Sequence, residues 1–220
     1  MTGWLGRALL GSAAIALVAG VFVVAADRGA RAADHLDPPA RTDPAVDTTP
    51  DKAADIADVY AWHTPTDLVI AVTFAGPQAS NLPATYDRDM LYTINISNDD
   101  VTFTPEVQIH FRFGQNGSAT GVQFTGVPGT TGAIEGPVEA DLRQGQSVVR
   151  AGLFDDPFFF DLEGFRATRA TGALSFRSNR NFFAGQNLTA GVVQFPRSAI
   201  DTGSGKIRIW ATSARFGGNI

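Results

Sequence analysis

The chain contains no cysteine, which removes disulfides, thiolate nucleophiles and thiolate metal sites together. Its histidines are only three, His35, His63 and His110, and no H-E-x-x-H spacing joins them, so a patterned zinc site is missing. No G-x-S-x-G turn is present to expose a serine nucleophile. No contiguous EF-hand spacing occurs either. Heptads, internal repeats and any long helical period are also lacking, which argues against coiled coils and solenoids.

What the chain does have begins with one long apolar run. Arg7 precedes "ALLGSAAIALVAGVFVVAA" at 8–26, and "ARA" follows at 30–32. A basic residue, an apolar stretch and small residues at the end make an export signal over residues 1–32. Because about 20 apolar residues span a bilayer, an uncleaved anchor over 8–26 is the alternative, and it would be the chain's sole membrane contact. Without residues 1–32, which hold three Arg and one Asp, the remaining 14 basic and 21 acidic residues give a net charge of −7. Such a balance excludes nucleic acid and anionic membrane surfaces as natural partners. The expected location is secreted or cell-envelope.

Residues 33–51, "ADHLDPPARTDPAVDTTPD", are rich in Pro and Asp and read as an extended segment. A single domain over 52–220 follows. There "LVIAVTF" (68–74), "MLYTINIS" (90–97) and "VQIHFRF" (107–113) alternate large apolar residues with polar or small ones, the period of strands with one buried face. Similar runs at 121–126, 146–154, 172–178, 188–195 and 206–214 are separated by "NDD", "GQNGS", "PGTTG" and "DTGSG", which is turn chemistry. The expected fold is mainly β: an antiparallel β-sandwich, jelly-roll or Greek-key-like, with short helical plugs in its loops.

Two segments break the rhythm. "GLFDDPFFFDLEGF" (152–165) predicts a two-turn helix with Asp156 as N-cap, Pro157 at the first position and Gly164 just past the end. "SNRNFFAGQN" (178–187) repeats the logic. Capping needs one carboxylate, whereas Asp155 and Asp156 supply two, and adjacent like charges call for a compensating cation or Arg. "DKAADIADVY" adds Asp55 and Asp58. The candidate ligand site is thus Asp55, Asp58, Asp155 and Asp156 around a hard cation such as Ca2+, with His35, Arg177 and Asn179 beside it and Arg177 anchoring the loops. A haem held by Met90 and His110 is a separate reading, since both lie on strands.

With these segments in view, the chain resembles the bacterial exported family called domain of unknown function 4331 (DUF4331). "DHLDPP", "DKAADIADVYAW", "DMLYTINISND", "VQIHFRFG", "RAGLFDDPFFFDLEGF", "SFRSNRNFFAGQN", "VVQFPRSAI" and "IWATSAR" carry the resemblance. It implies an exported, mainly β bacterial protein and no defined activity. The strand rhythm is also loosely similar to exported carbohydrate- or haem-binding sandwiches. The expected function is a non-enzymatic envelope or extracellular binding or structural module. Its partner would be an unidentified small ligand or an envelope protein, with loop aspartates holding a cation. The alternatives are a metal-dependent hydrolase using the same carboxylates and a haem-binding redox sandwich.

Overall fold

The computed structural model describes Ala45 and residues 47–217, apart from Asp100 and Thr102. The export signal, the anchor reading of 8–26 and His35 lie outside the described residues.

β1 (Ile56–His63) and β2 (Asp67–Ala79) form a hairpin, and the chain then crosses to a second sheet. There β3 (Met90–Ser97), β4 (Val107–Asn116), β5 (Ala119–Thr125) and β6 (Ile134–Pro137) run as an antiparallel meander. β7 (Leu142–Gln144), β8 (Ser147–Asp155) and β9 (Gln186–Pro196) return to the first sheet, with helix α1 (Leu162–Thr171) between β8 and β9. β10 (Arg208–Arg215) closes the series in the second sheet. The sheet orders are β1-β2-β9-β8-β7 and β10-β3-β4-β5-β6, all neighbours antiparallel. Late strands thus insert beside early ones, β9 next to β2 and β10 next to β3. This is the expected sandwich.

The alternation read from the sequence explains the core. Ile109, Phe111 and Phe113 of β4 are buried, whereas Gln108 and Arg112 are exposed and His110 is half-buried. Facing them are Ile70, Val72 and Phe74 of β2 and Val193 and Phe195 of β9. An aromatic stack runs through the middle. Phe74 lies 4.1 Å from Tyr92, Tyr92 4.8 Å from Phe111, and Phe111 5.1 Å from Phe124, centroid to centroid. Each such ring buries a large apolar area, which suits a chain without disulfides.

Three local expectations are corrected. The helix near the phenylalanines begins at Leu162, with Asp161 rather than Asp156 as N-cap and Gly172, at φ +73°, as C-cap. Residues 157–160 are instead irregular. Asp156 makes a local turn, its Oδ1 accepting from the Phe158 N–H at 2.9 Å. The physical reason is side-chain placement: off the helix, Phe158 and Phe160 stack at 5.6 Å while Phe159 is 58% exposed. The segment 178–187 is likewise not helical; a turn at 182–185 leads directly into β9. The strand expected at 172–178 is absent as well, and its apolar residues stay largely outside the core: Leu174 is 87% and Phe176 50% exposed. β6 and β7 are short strands that the sequence pattern does not announce.

Candidate functional site

Of the four candidate aspartates, Asp58 and Asp156 are buried, Asp55 is half-buried and Asp155 is exposed. Asp58 is buried at an irregularity in the β1–β2 pairing, where its N–H donates to the Thr73 hydroxyl at 3.0 Å. Its Oδ2 accepts from the Tyr60 hydroxyl at 2.8 Å. Burial, that hydrogen bond, and the negative charges of Asp58 and Asp156 together push the Tyr60 hydroxyl far above its ordinary value. Asp58 and Asp156 therefore act on one tyrosine, and Tyr60 is held protonated. Asp156 is buried too, and its N–H donates to the Gln186 carbonyl at 2.8 Å. Asp155 is exposed at the end of β8 opposite Asn187, and Asp55 is half-buried beside the turn at Lys52–Ala54. Among the described residues, no group of three or more His, Cys, Asp or Glu gathers to hold a metal ion.

The sequence reading missed the carboxylate that organises these loops. Asp161 is buried and accepts from the Gly164 N–H at 2.8 Å and the Arg177 N–H at 2.7 Å. The Arg180 guanidinium adds two hydrogen bonds, at 2.6 and 3.0 Å, and also reaches Glu163 at 2.9 Å. The Arg180 bonds, against the cost of burial and with the two backbone donors, hold the Asp161 carboxyl far below the usual carboxylate range. Arg177 contributes its backbone alone to this knot; its side chain is exposed, and Arg180 does the anchoring expected of it. Asn179 sits in an exposed turn. Asp161 followed by an acidic first turn, with Gly172 eleven residues on, was the available signal; Pro157 drew the expected cap upstream.

Met90 and His110 are not brought together. Met90 belongs to the core between the sheets, while His110 points from the opposite face of the second sheet, its Nδ1 2.9 Å from the Thr93 hydroxyl. One haem iron cannot take both.

His110 instead belongs to a lattice that sequence reasoning did not assemble. On the outer face of the second sheet, the pairing sets side chains into rows across the strands. Trp210, Asn95 and Gln108 form one row; Thr212, Thr93, His110 and Thr125 form the next. Ala214, Leu91, Arg112, Gln123 and Glu135 form a third, and Gly114 and Gly121 with Pro137 a fourth. Within rows the polar groups bond to one another. Gln108 Nε2 donates to Asn95 Oδ1 at 2.9 Å, Arg112 Nε to Gln123 Oε1 at 3.1 Å, and Gln123 Nε2 to Glu135 Oε2 at 2.8 Å.

The third row stands between two hollows. One of about 270 Å³ is lined by Leu91, His110, Arg112, Gln123 and Thr125. The other, about 700 Å³, includes Arg88, Arg112, Gly114, Gly121 and Glu135. The paired glycines leave bare backbone there: a Cβ on Gly114 would meet nothing within 4 Å. Two of the other grooves on the described residues, of about 780 and 280 Å³, lie by Arg197 and Asp201 and away from Asp55, Asp58, Asp155 and Asp156.

No family model matches the chain, nor does any curated protein or solved structure.

Proposed function

We propose that the chain is a binding module of the bacterial envelope or extracellular space, export being what the DUF4331 resemblance implies. Its ligand is taken on the outer face of the second sheet. The observation that carries this reading is the bonded row Arg112–Gln123–Glu135 between two hollows. Polar side chains on a solvent face are satisfied by water, and holding them in one geometry costs side-chain entropy. A pre-set array lowers the cost of binding a ligand.

The test is co-sedimentation of the purified full chain with isolated bacterial envelope material. Gly114→Phe fills the larger hollow from a position with free space around it, and strands accept aromatic residues. The expected result is retention of the unaltered protein and a loss of roughly tenfold or more for the variant, as befits blocking the centre of a binding surface. Retention that survives Gly114→Phe overturns the sheet-face reading. A calcium-induced rise in Tm that Asp155→Ala with Asp156→Ala removes would return the site to the acidic loops.

A further inference from the structure

We infer that the ligand of this face is a neutral glycan chain lying across the strands. The inference rests on the sheet-face reading above and adds the ligand's chemistry.

The hydrogen bonds of the third row run in one direction. Arg112 donates to Gln123, and Gln123 donates to Glu135. Arg112 keeps further N–H groups at one end, Glu135 keeps acceptor capacity at the other, and Gln123 has a second N–H between them. The next row presents threonine hydroxyls and an imidazole, and the one after it two carboxamides. Donors and acceptors are thus interleaved along these three rows. A hydroxyl both donates and accepts, so vicinal hydroxyls match such a surface. An apolar ligand would strip these groups of water and leave them without partners, which costs free energy for each. An anion would meet Glu135 and the chain's net negative charge; a cation would meet Arg88 and Arg112.

The spacing supports a chain rather than a single sugar. Neighbouring strands lie about 4.8 Å apart, and a linear chain of pyranose rings advances by nearly the same step per ring. A glycan laid along a row would place one ring over each strand. At the β10 edge the surface becomes aromatic. Trp210 is in register with Asn95, and Phe103, 75% exposed, meets its ring edge-on at 5.6 Å and 78°. Aromatic faces suit the C–H side of a pyranose ring.

The test is isothermal titration of the purified full chain with hexasaccharides of β-linked glucose, xylose and mannose. A galacturonate hexamer serves as the acidic control. One neutral hexasaccharide at least is expected to bind, with its disaccharide roughly tenfold weaker. Gly114→Phe and Gln123→Ala should each lower affinity about tenfold, with Tm kept within a few degrees. Arg143→Ala, on a groove of the first sheet, should change nothing. Preference for the acidic hexamer, no heat with any neutral hexasaccharide, or binding indifferent to both Gly114→Phe and Gln123→Ala overturns the inference. If envelope retention is still lost in Gly114→Phe while no neutral glycan binds, the ligand class falls and the face stands. If retention is intact in that variant, both fall.

Discussion

At the scale of single residues, one tight constraint inside the core is Gly191 against Phe111. Phe111 is fully buried between the Tyr92 and Phe124 rings. Gly191 of the opposite sheet lies over it so closely that a Cβ would come within 2.6 Å of ring atom Cζ. The ring cannot yield, because both its faces are packed. Gly191→Ala should therefore destabilise the protein by about 1–3 kcal/mol, the usual cost of overpacking a filled core. Urea unfolding measures it, and a loss under about 0.5 kcal/mol would show that the stack moves freely. Alternation in "VQIHFRF" was enough to turn Phe111 inward and His110 outward. It could not pair Phe111 with a glycine of a distant strand, since that contact depends on β9 inserting beside β2. Thr93 and Asn95 present the same limit. Their shared outward face was legible, but the rows they enter exist only once β10, β4 and β5 are in place.

At the scale of elements, the loop between β8 and β9 is fastened by one carboxylate. Asp161 caps α1 through Gly164 and ties the chain beyond the helix through Arg177 and Arg180. Its folded-state value is depressed, so folding is favoured when Asp161 is ionised. The contribution is complete above its ordinary value near 3.8 and is lost as pH falls toward the depressed folded value. Protection factors of amides in 162–180, taken against the intrinsic rate at each pH, should accordingly fall below about pH 4, ahead of those of the strands. At neutral pH, Asp161→Asn should raise exchange of α1 amides about tenfold, as loss of a helix cap does, with β2 and β9 little affected. Unchanged protection in the variant would remove Asp161 from this role. Both the helix and its capping chemistry were legible in outline, yet displaced by five residues. Two aspartates, Asp156 and Asp161, each precede a helix-like run, and only packing of the phenylalanines between them decides which one caps.

At the scale of the whole molecule, the two sheets are joined at the first turn of the described domain. The turn at Lys52–Ala54 leads into β1 of the first sheet, yet side chains of the second sheet grip it. The Tyr92 hydroxyl donates to the Ala53 carbonyl, and the Ser213 hydroxyl to the Ala54 carbonyl at 2.7 Å. The Arg215 guanidinium of β10 bonds both oxygens of Asp51 and reaches Asp87 at 2.9 Å. The bond to Asp51, against burial and with help from Asp87, raises the Arg215 value further above its ordinary one, so it is charged at any working pH. Two aspartates of "DKAADIADVY" therefore serve different ends, Asp51 joining sheets and Asp58 holding Tyr60. No sequence spacing could reveal that, because the partner of Asp51 is near the other end of the chain. Arg215→Met keeps the side chain's apolar stem and deletes its charged hydrogen bonds. It should cost about 1–3 kcal/mol in denaturant unfolding, with Arg215→Lys recovering only part because an ammonium cannot span both carboxylates in the same plane. Since the lost bonds bridge the sheets, the midpoint should fall as a single transition for probes in either sheet. A loss confined to the last strand would show that Arg215 holds β10 alone.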